Sequence, residues 1–384
     1  MAEMSKAPGQ SALPEGGGIP WTALCQESLE RLYESVPGWE DLNGKTLLLT
    51  GASGMIGSFL TDALMLRNQS LPPAARTRIL AVGRGEAAAR RRFWTWWDEE
   101  SFRFLPHDAA QPFPDLPWEP DLLIHAASTT HPADYAARPI ETVLTNLLGT
   151  RNLLDLAVRK PGCRLLLLSS VEIYGENRGD TDRFAEDYCG YLDCNALRAG
   201  YPEGKRASEA LCQAYIAERG ADAVILRLPR CYGPTMRMED TKASSQFLKK
   251  ALRGEDIVLK SEGRQFYSYA YVCDAVQGLL RVLLAGETGE AYNLGDPASD
   301  ITLRELAELC ASLAGRQVRY ELPDEAERRG YSTATKALLD GTKLKERLGW
   351  RPRYTIREGI GETVEILRRL YGAEGTGKGG GAAW

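Results

Sequence analysis

Tyr201-Pro202-Glu203-Gly204-Lys205 sets a phenol and an ammonium four residues apart. On a helix that spacing puts both on one face. A free phenol ionises near pH ~10, and a neighbouring positive charge favours its phenolate. Tyr201 is thus a candidate acid/base, with Lys205 expected to draw its pKa down. The pair gains weight from Leu168-Ser169-Ser170-Val171-Glu172, where an apolar run ends on Ser170. Open α/β sheets bind ligands along the carboxyl edge of their strands, so Ser170 can hydrogen-bond the oxygen whose proton Tyr201 moves. The bland alternative for Ser170 is a strand-end cap.

A second chemical feature lies upstream. Thr50-Gly51-Ala52-Ser53-Gly54-Met55-Ile56-Gly57 directly follows an apolar strand and opens a helix. Glycines at 51, 54 and 57 suit a tight turn, close backbone approach to a pyrophosphate and close helix–strand packing. The free N–H groups and positive end of the helix then face the phosphates. The loop points to a dinucleotide, and the hydride chemistry belongs to that cofactor. At the end of the next strand an Asp or Glu would select NAD, but this chain has Val82-Gly83-Arg84-Gly85, followed by Arg90, Arg91 and Arg92. Arg84 could accept a 2′-phosphate, which tilts the choice between NAD and NADP toward NADP. The other reading is a solvated basic helix start. Asp108, after the third strand, is a candidate partner for the adenine amine.

These residues need a frame, and the pattern supplies one. Strands are expected at 45–50, 78–82, 102–105, 121–126, 164–170 and 223–228, with helices near 55–67, 139–159 and 202–219. Short, continuously apolar runs alternating with helices predict a parallel sheet buried on both faces, a Rossmann-like doubly wound α/β fold. Beyond about residue 230 the rhythm becomes mixed, with strands at 256–260 and 290–295 and helices at 274–284 and 301–315. We therefore expect a disordered segment at 1–20 and a dinucleotide-binding domain over 21–230. The latter would begin with a helix at 21–33 and be completed by parts of 265–295. A smaller mixed α/β substrate domain over 231–370 and a Gly-rich tail at 371–384 would follow.

Composition narrows the function. The chain has 384 residues, 43% hydrophobic, with a formal net charge of −5. No basic stripe suggests nucleic-acid binding, and no apolar run approaches the ~18–20 residues of a membrane span. The N-terminus lacks the apolar core of a secretory signal, so a cytoplasmic location is expected. Eight cysteines and three histidines show no metal-binding spacing. The closest pair, Cys189 and Cys194, reads as reduced thiols.

Taken together, the chain resembles the extended short-chain dehydrogenase/reductases of the NAD-dependent epimerase/dehydratase family, over about residues 43 to 370. The marks are TGASGMIGS, IHAAS (124–128), Thr145-Asn146, Gly149-Thr150, SSVEIYG (169–175), YPEGK, RCYGP (230–234) and the Tyr271-Val272-Cys273-Asp274 segment. The resemblance implies a catalytic Ser170–Tyr201–Lys205 triad and a nucleotide-sugar substrate. It also implies that Ala126, Ala127, Ser128 and Asn146 line the cofactor, with Ser128 reaching the substrate, and that the protein is a homodimer. Local runs, including Arg198 to Arg206 and the segment from Ala127 through Tyr135 to Asn146, are similar to UDP-glucuronate decarboxylases. There Glu172 would be a second acid/base after oxidation at carbon 4, unless it is a plain surface carboxylate.

Three departures stand out. Where the family segment reads RSFxYV, this chain has Tyr267-Ser268-Tyr269-Ala270-Tyr271-Val272, with Arg264 three residues earlier. Arg230 replaces the Asn expected before the Tyr-Gly-Pro turn. Val171-Glu172 stands where dehydratases carry Asp-Glu. Arg230, Arg264 and Tyr267 are thus candidate substrate contacts, with Arg230 suited to a phosphate or a sugar carboxylate. The leading expectation is an epimerase, dehydratase or decarboxylase that passes through a keto-sugar. A net NADPH-dependent reductase of a keto-sugar or sugar phosphate is the alternative suggested by Arg84 and Arg230. A non-catalytic dinucleotide sensor is opposed by the intact Ser170, Tyr201 and Lys205.

Overall fold

The structure, a computed structural model, describes residues 20–128, 137–321 and 335–372. The expected disordered segment before Pro20, the tail beyond Gly372 and Tyr135 lie outside the described residues. The first six strands are β1 (Thr46–Thr50), β2 (Arg78–Gly83), β3 (Phe102–Pro106), β4 (Leu122–His125), β5 (Arg164–Ser170) and β6 (Asp222–Leu228). There follow β7 (Arg230–Tyr232), β8 (Ile257–Leu259), β9 (Phe266–Tyr271), β10 (Ala291–Asn293), β11 (Asp300–Thr302), β12 (Val318–Tyr320) and β13 (Lys336–Ala337).

Seven strands form a parallel sheet in the order β10-β6-β5-β4-β1-β2-β3. The apolar runs dictate it. Successive strand residues point to opposite faces, so a strand buried on both sides must be apolar at every position. Leu47 and Leu49 of β1 enter one core, while Leu48 joins Leu80, Leu123, Leu165 and Leu167 in the other. Strand order reverses between β1 and β4, which opens a crevice at their carboxyl ends. The glycine loop follows β1, and Ala126 to Ser128 follow β4.

Two helices flank β5 and carry much of the site. Pro139–Ala157 and Gly200–Arg219 pack closely because Gly204 lacks a side chain: a Cβ there would sit 3.3 Å from Asn146 Cβ. Ser208 Oγ then donates to the Asn146 carbonyl at 2.9 Å. Pro202 falls in the first turn of the second helix, where a missing N–H costs nothing.

The later half forms a second sheet in which β9 pairs with β11, β13 and β7, and a two-stranded sheet of β12 and β8. Of the 265–295 region, β10 joins the first sheet while β9 stays in the second. Tyr271-Val272-Cys273-Asp274 ties this half together: the Asp274 carboxylate accepts from the backbone N–H groups of Arg353 and Tyr354 at 2.7 and 3.2 Å. Burial raises its pKa to about 7. The N-terminal helix expected as one piece is two, Trp21–Leu24 and Gln26–Ser35, broken at Cys25. Among the described residues no helix is long and apolar enough to cross a membrane.

Candidate active site

Gly51 leaves β1 with φ +70°, a conformation that favours glycine, and a Cβ there would lie 2.7 Å from the Ala126 carbonyl. At Gly57 a Cβ would meet Gly51 O at 2.6 Å. The loop therefore folds tightly on itself and against the end of β4. Gly54 caps the Met55–Gln69 helix and has no side chain to bond its first-turn N–H groups. Ser53, Met55 and Ile56 form its half-buried rim. Orphan donors at a helix N-terminus, reached only across glycine, suit a pyrophosphate. Ala127 N donates to Thr50 Oγ1 at 3.3 Å, and Thr50 Oγ1 lies 2.8 Å from His125 Nδ1.

The basic residues expected beside the adenosine are mostly engaged. Arg84 is ion-paired with Glu141 of the Pro139–Ala157 helix, so it is not the unopposed cation that the sequence reading offered to a 2′-phosphate. Arg92 pairs with Asp62 at 2.5 Å, and Arg90 lies over Trp97. Asp108 Oδ1 accepts from Ala110 N at 3.0 Å and so closes its own turn.

Ser170, Glu172 and Tyr201 meet at the carboxyl end of β5, while Lys205 reaches back to Leu168 within the strand. Ser170 ends the strand and accepts from Glu172 N at 3.2 Å, which sets a short 3-10 turn, Val171–Tyr174. Tyr201 and Lys205 lie one turn apart on Gly200–Arg219, both buried. Burial pushes the Tyr201 phenol up to about 12; a hydrogen bond with Ser170 opposes this and the Glu172 charge adds to it. Burial also lowers Lys205 to about 8, partly countered by Glu209. The pull of Lys205 on Tyr201 expected from the four-residue spacing is not seen: the charges acting on the phenol are those of Glu172 and Cys231. Lys205 Nζ instead donates to the Leu168 carbonyl at 2.6 Å. Asn146, fully buried, accepts from Ser128 Oγ at 3.0 Å and joins the β4 end to the helix pair.

Arg230 opens β7 beside Glu172. Its guanidinium carbon sits 3.6 Å from the centre of the Tyr267 ring, and its Nη2 lies 3.5 Å from Glu172 Oε1. The two family departures are therefore in contact. Arg264 does not join them: it is largely exposed and pairs with Glu262 at 2.6 Å, which corrects its expected place at the substrate. Two residues not singled out from sequence reach the glycine loop. Thr235 Oγ1 donates to Met55 O at 2.9 Å, and Arg237 Nη2 to Ser53 O at 3.4 Å. Their only signal was position, just after the Tyr-Gly-Pro turn. Among the described residues no group of three or more His, Cys, Asp or Glu side chains could hold a metal ion.

A glycine-looped switch point with Ser, Tyr and Lys at the neighbouring strand end defines a dinucleotide-dependent enzyme of the short-chain dehydrogenase/reductase type. The chain belongs to the NAD dependent epimerase/dehydratase family, which matches residues 47–295. It is 31% identical to UDP-glucuronic acid decarboxylase 1 of Xenopus tropicalis, over 90% of this chain and 77% of that protein. It is 33% identical to UDP-glucuronic acid decarboxylase 6 of Arabidopsis thaliana, over 85% of this chain and 90% of that protein. Among solved structures, the dTDP-glucose 4,6-dehydratase DesIV of Streptomyces venezuelae, with NAD bound, matches at a TM-score of 0.71 and 25% identity. That match covers 85% of this chain and 98% of that one. UDP-glucuronic acid 4-epimerase of Bacillus cereus shares the fold at a TM-score of 0.69 and 20% identity, over 85% of this chain and 100% of that one.

Proposed function

We propose that the protein decarboxylates a nucleotide-linked uronic acid through a 4-keto sugar. The observation that carries this reading is the convergence of Tyr201, Ser170 and Glu172 at one strand end, with Glu172 acting on the phenol by its charge and touching Arg230. The dinucleotide, held by the glycine loop and the Ala126–Ser128 turn, supplies the redox chemistry that makes carbon 4 a ketone and later restores it. Tyr201 takes the proton of the 4-hydroxyl while Ser170 hydrogen-bonds the same oxygen. With the ketone in place, the bond from carbon 5 to the carboxylate breaks, carbon dioxide leaves, and the electron pair flows to the oxygen held by Tyr201 and Ser170. Glu172, whose side chain is one-third exposed, is placed to take up a proton from water and pass it to carbon 5. Lys205, bound to the Leu168 carbonyl, holds the end of the strand that presents Ser170.

The Arg84–Glu141 pair supports NAD as the resident dinucleotide over NADP. The exposed apolar residues Ile140, Leu144 and Leu197, near the starts of the paired helices, support a homodimer formed there.

Incubating the purified protein with UDP-, dTDP-, GDP- and CDP-linked hexoses and hexuronates, followed by mass analysis, tests the reading. The expected product has lost carbon dioxide. An epimer of unchanged mass or a product lacking water would replace decarboxylation with another reaction of the family. Net consumption of NADPH would replace it with a reductase.

A further inference from the structure

We infer that Arg230 recognises a carboxylate on the sugar ring of the substrate, with Tyr267 and Glu172 holding its guanidinium in wait. This rests on the proposed reading of a uronic acid substrate. Arg230 is fixed at the backbone, since β7 pairs with β9 in the register Arg230 to Tyr269. Its guanidinium carbon approaches the centre of the Tyr267 ring to 3.6 Å, a contact that holds the fork without using its N–H donors.

That edge is under-used. Nη2 reaches Glu172 Oε1 only at 3.5 Å, well beyond the ~2.7–2.9 Å of a good charge-assisted bond. Nη1 is buried and has no hydrogen-bond partner among the described residues. A buried donor left unmade is costly, so an acceptor supplied by a ligand would relieve it. The two-pronged geometry of a guanidinium matches a carboxylate or a phosphate.

Location separates these two. Glu172 follows Ser170 by two residues and donates its N–H to the Ser170 hydroxyl. Ser170 in turn bonds with Tyr201. The under-paired edge of Arg230 therefore lies beside the group that would move the 4-hydroxyl proton, not at the glycine loop. An anion there belongs to the sugar ring, and on a hexose one bond beyond carbon 5 that anion is a carboxylate. The approach of substrate would exchange a long contact to Glu172 for a close fork and release Glu172 toward carbon 5.

The test titrates the protein carrying its dinucleotide with UDP-glucuronate, UDP-glucose and UDP, using the wild type, Arg230→Lys, Arg230→Asn and Arg230→Asn/Tyr267→Arg. Wild type should prefer UDP-glucuronate to UDP-glucose. Arg230→Asn should lose about 10- to 100-fold on UDP-glucuronate and no more than about 3-fold on UDP-glucose and UDP. Arg230→Lys, which keeps charge but not the fork, should fall between and controls for folding. The double variant should regain uronate affinity, because an arginine at 267 starts where the ring now contacts the guanidinium. Equal losses on all three ligands would assign Arg230 to the diphosphate and overturn the inference, as would a wild type with no preference for the uronate. Preferential binding of UDP-glucuronate without its decarboxylation would sink the proposed reaction and leave the carboxylate site standing.

Discussion

Lys205 Nζ donates to the Leu168 carbonyl at 2.6 Å, so the helix bearing the candidate acid/base is bolted to the strand that ends in Ser170. The bolt is a charge inside the protein. Burial lowers its pKa from the usual 10.5 to about 8. For a base with a depressed folded pKa, the associated stability is present in full above the unfolded value and is lost as pH falls through the folded one. At pH 7 both states are protonated, and the folded state carries the whole penalty of roughly 3 kcal/mol at ~1.36 kcal/mol per pH unit. Lys205→Met removes that penalty and loses one charged hydrogen bond. We expect it to be inactive yet more stable by about 1–2 kcal/mol at pH 7. Denaturant unfolding from pH 7 to pH 10.5 should show the advantage shrinking. Parallel curves for both proteins would refute the account.

Gly57 gives a sharper probe of the cofactor loop than Gly51, because its backbone is not in the left-handed region and only space is at issue. A Cβ there would stand 2.6 Å from Gly51 O and 2.9 Å from Ala52. Backbone on both sides cannot move without opening the loop. Gly57→Ala should weaken dinucleotide binding about 10-fold or more, at a stability cost of about 1–3 kcal/mol. Calorimetry against NAD, paired with a thermal melt, checks it; unchanged affinity would take the pyrophosphate away from this loop.

The elements around the site were legible in the sequence where the signal is local. Leu47, Leu48 and Leu49 in succession announce a strand buried on both faces, and the spacing of Gly51, Gly54 and Gly57 announces the turn. The side-chain positions of Ser170 and Tyr201 followed from a strand end and a helix start. What stayed hidden depends on distant partners. Nothing in the sequence shows that Lys205 bonds a backbone carbonyl, because every residue has one. The changes at Arg230 and Tyr267 were visible singly, but their contact needs β7 laid beside β9. Arg84 read as free because its partner, Glu141, sits on a helix beyond two further strands. Arg264 read as a substitute for the missing arginine because three residues is close along the chain, yet it ends in solvent beside Glu262.

Arg84 and Glu141 predict a tunable cofactor preference. The carboxylate of Glu141 is shared with Arg138, at 3.3 Å, as well as with Arg84. A 2′-phosphate approaching Arg84 would meet that negative charge, whereas a plain ribose would not. Glu141→Gln should therefore raise affinity for NADP by about 3- to 10-fold and leave NAD within about 2-fold, in line with the modest worth of exposed charge pairs. Fluorescence titration with both dinucleotides reads the ratio directly. An unchanged NADP/NAD ratio would mean that Arg84 does not face the 2′ position.

Tyr201→Phe addresses the chemistry itself. Burial holds the phenol up at about 12, so taking the 4-hydroxyl proton requires the phenolate form, which the positive charge of an oxidised nicotinamide would favour. Removing the hydroxyl should cut turnover by at least about 1000-fold, within the range of general acid–base loss, and leave NAD affinity within about 3-fold. Single-turnover assays and calorimetry separate the two. Activity near the wild-type level would dismiss Tyr201 as the acid/base.

His125 predicts how the fold fails in acid. The ring is completely buried at the end of β4, 2.8 Å from Thr50 Oγ1, and a Cβ on Gly149 would stand 2.8 Å from it. Burial, with the Lys205 charge adding, lowers its pKa from 6.5 to about 3. This is again a base with a depressed folded pKa: its contribution is complete above pH 6.5 and is lost as pH falls from there toward 3, while the unfolded chain takes up the proton. The loss is on the order of a few kcal/mol at ~1.36 kcal/mol per pH unit. His125→Asn, which can still bond Thr50 but does not titrate, should start about 1–2 kcal/mol less stable at pH 7 from lost packing and then decline less steeply. Urea unfolding at pH 7, 6, 5 and 4 should bring the two stabilities together. If they instead fall side by side, the acid sensitivity resides in the carboxylates and not at the seam between β1 and β4.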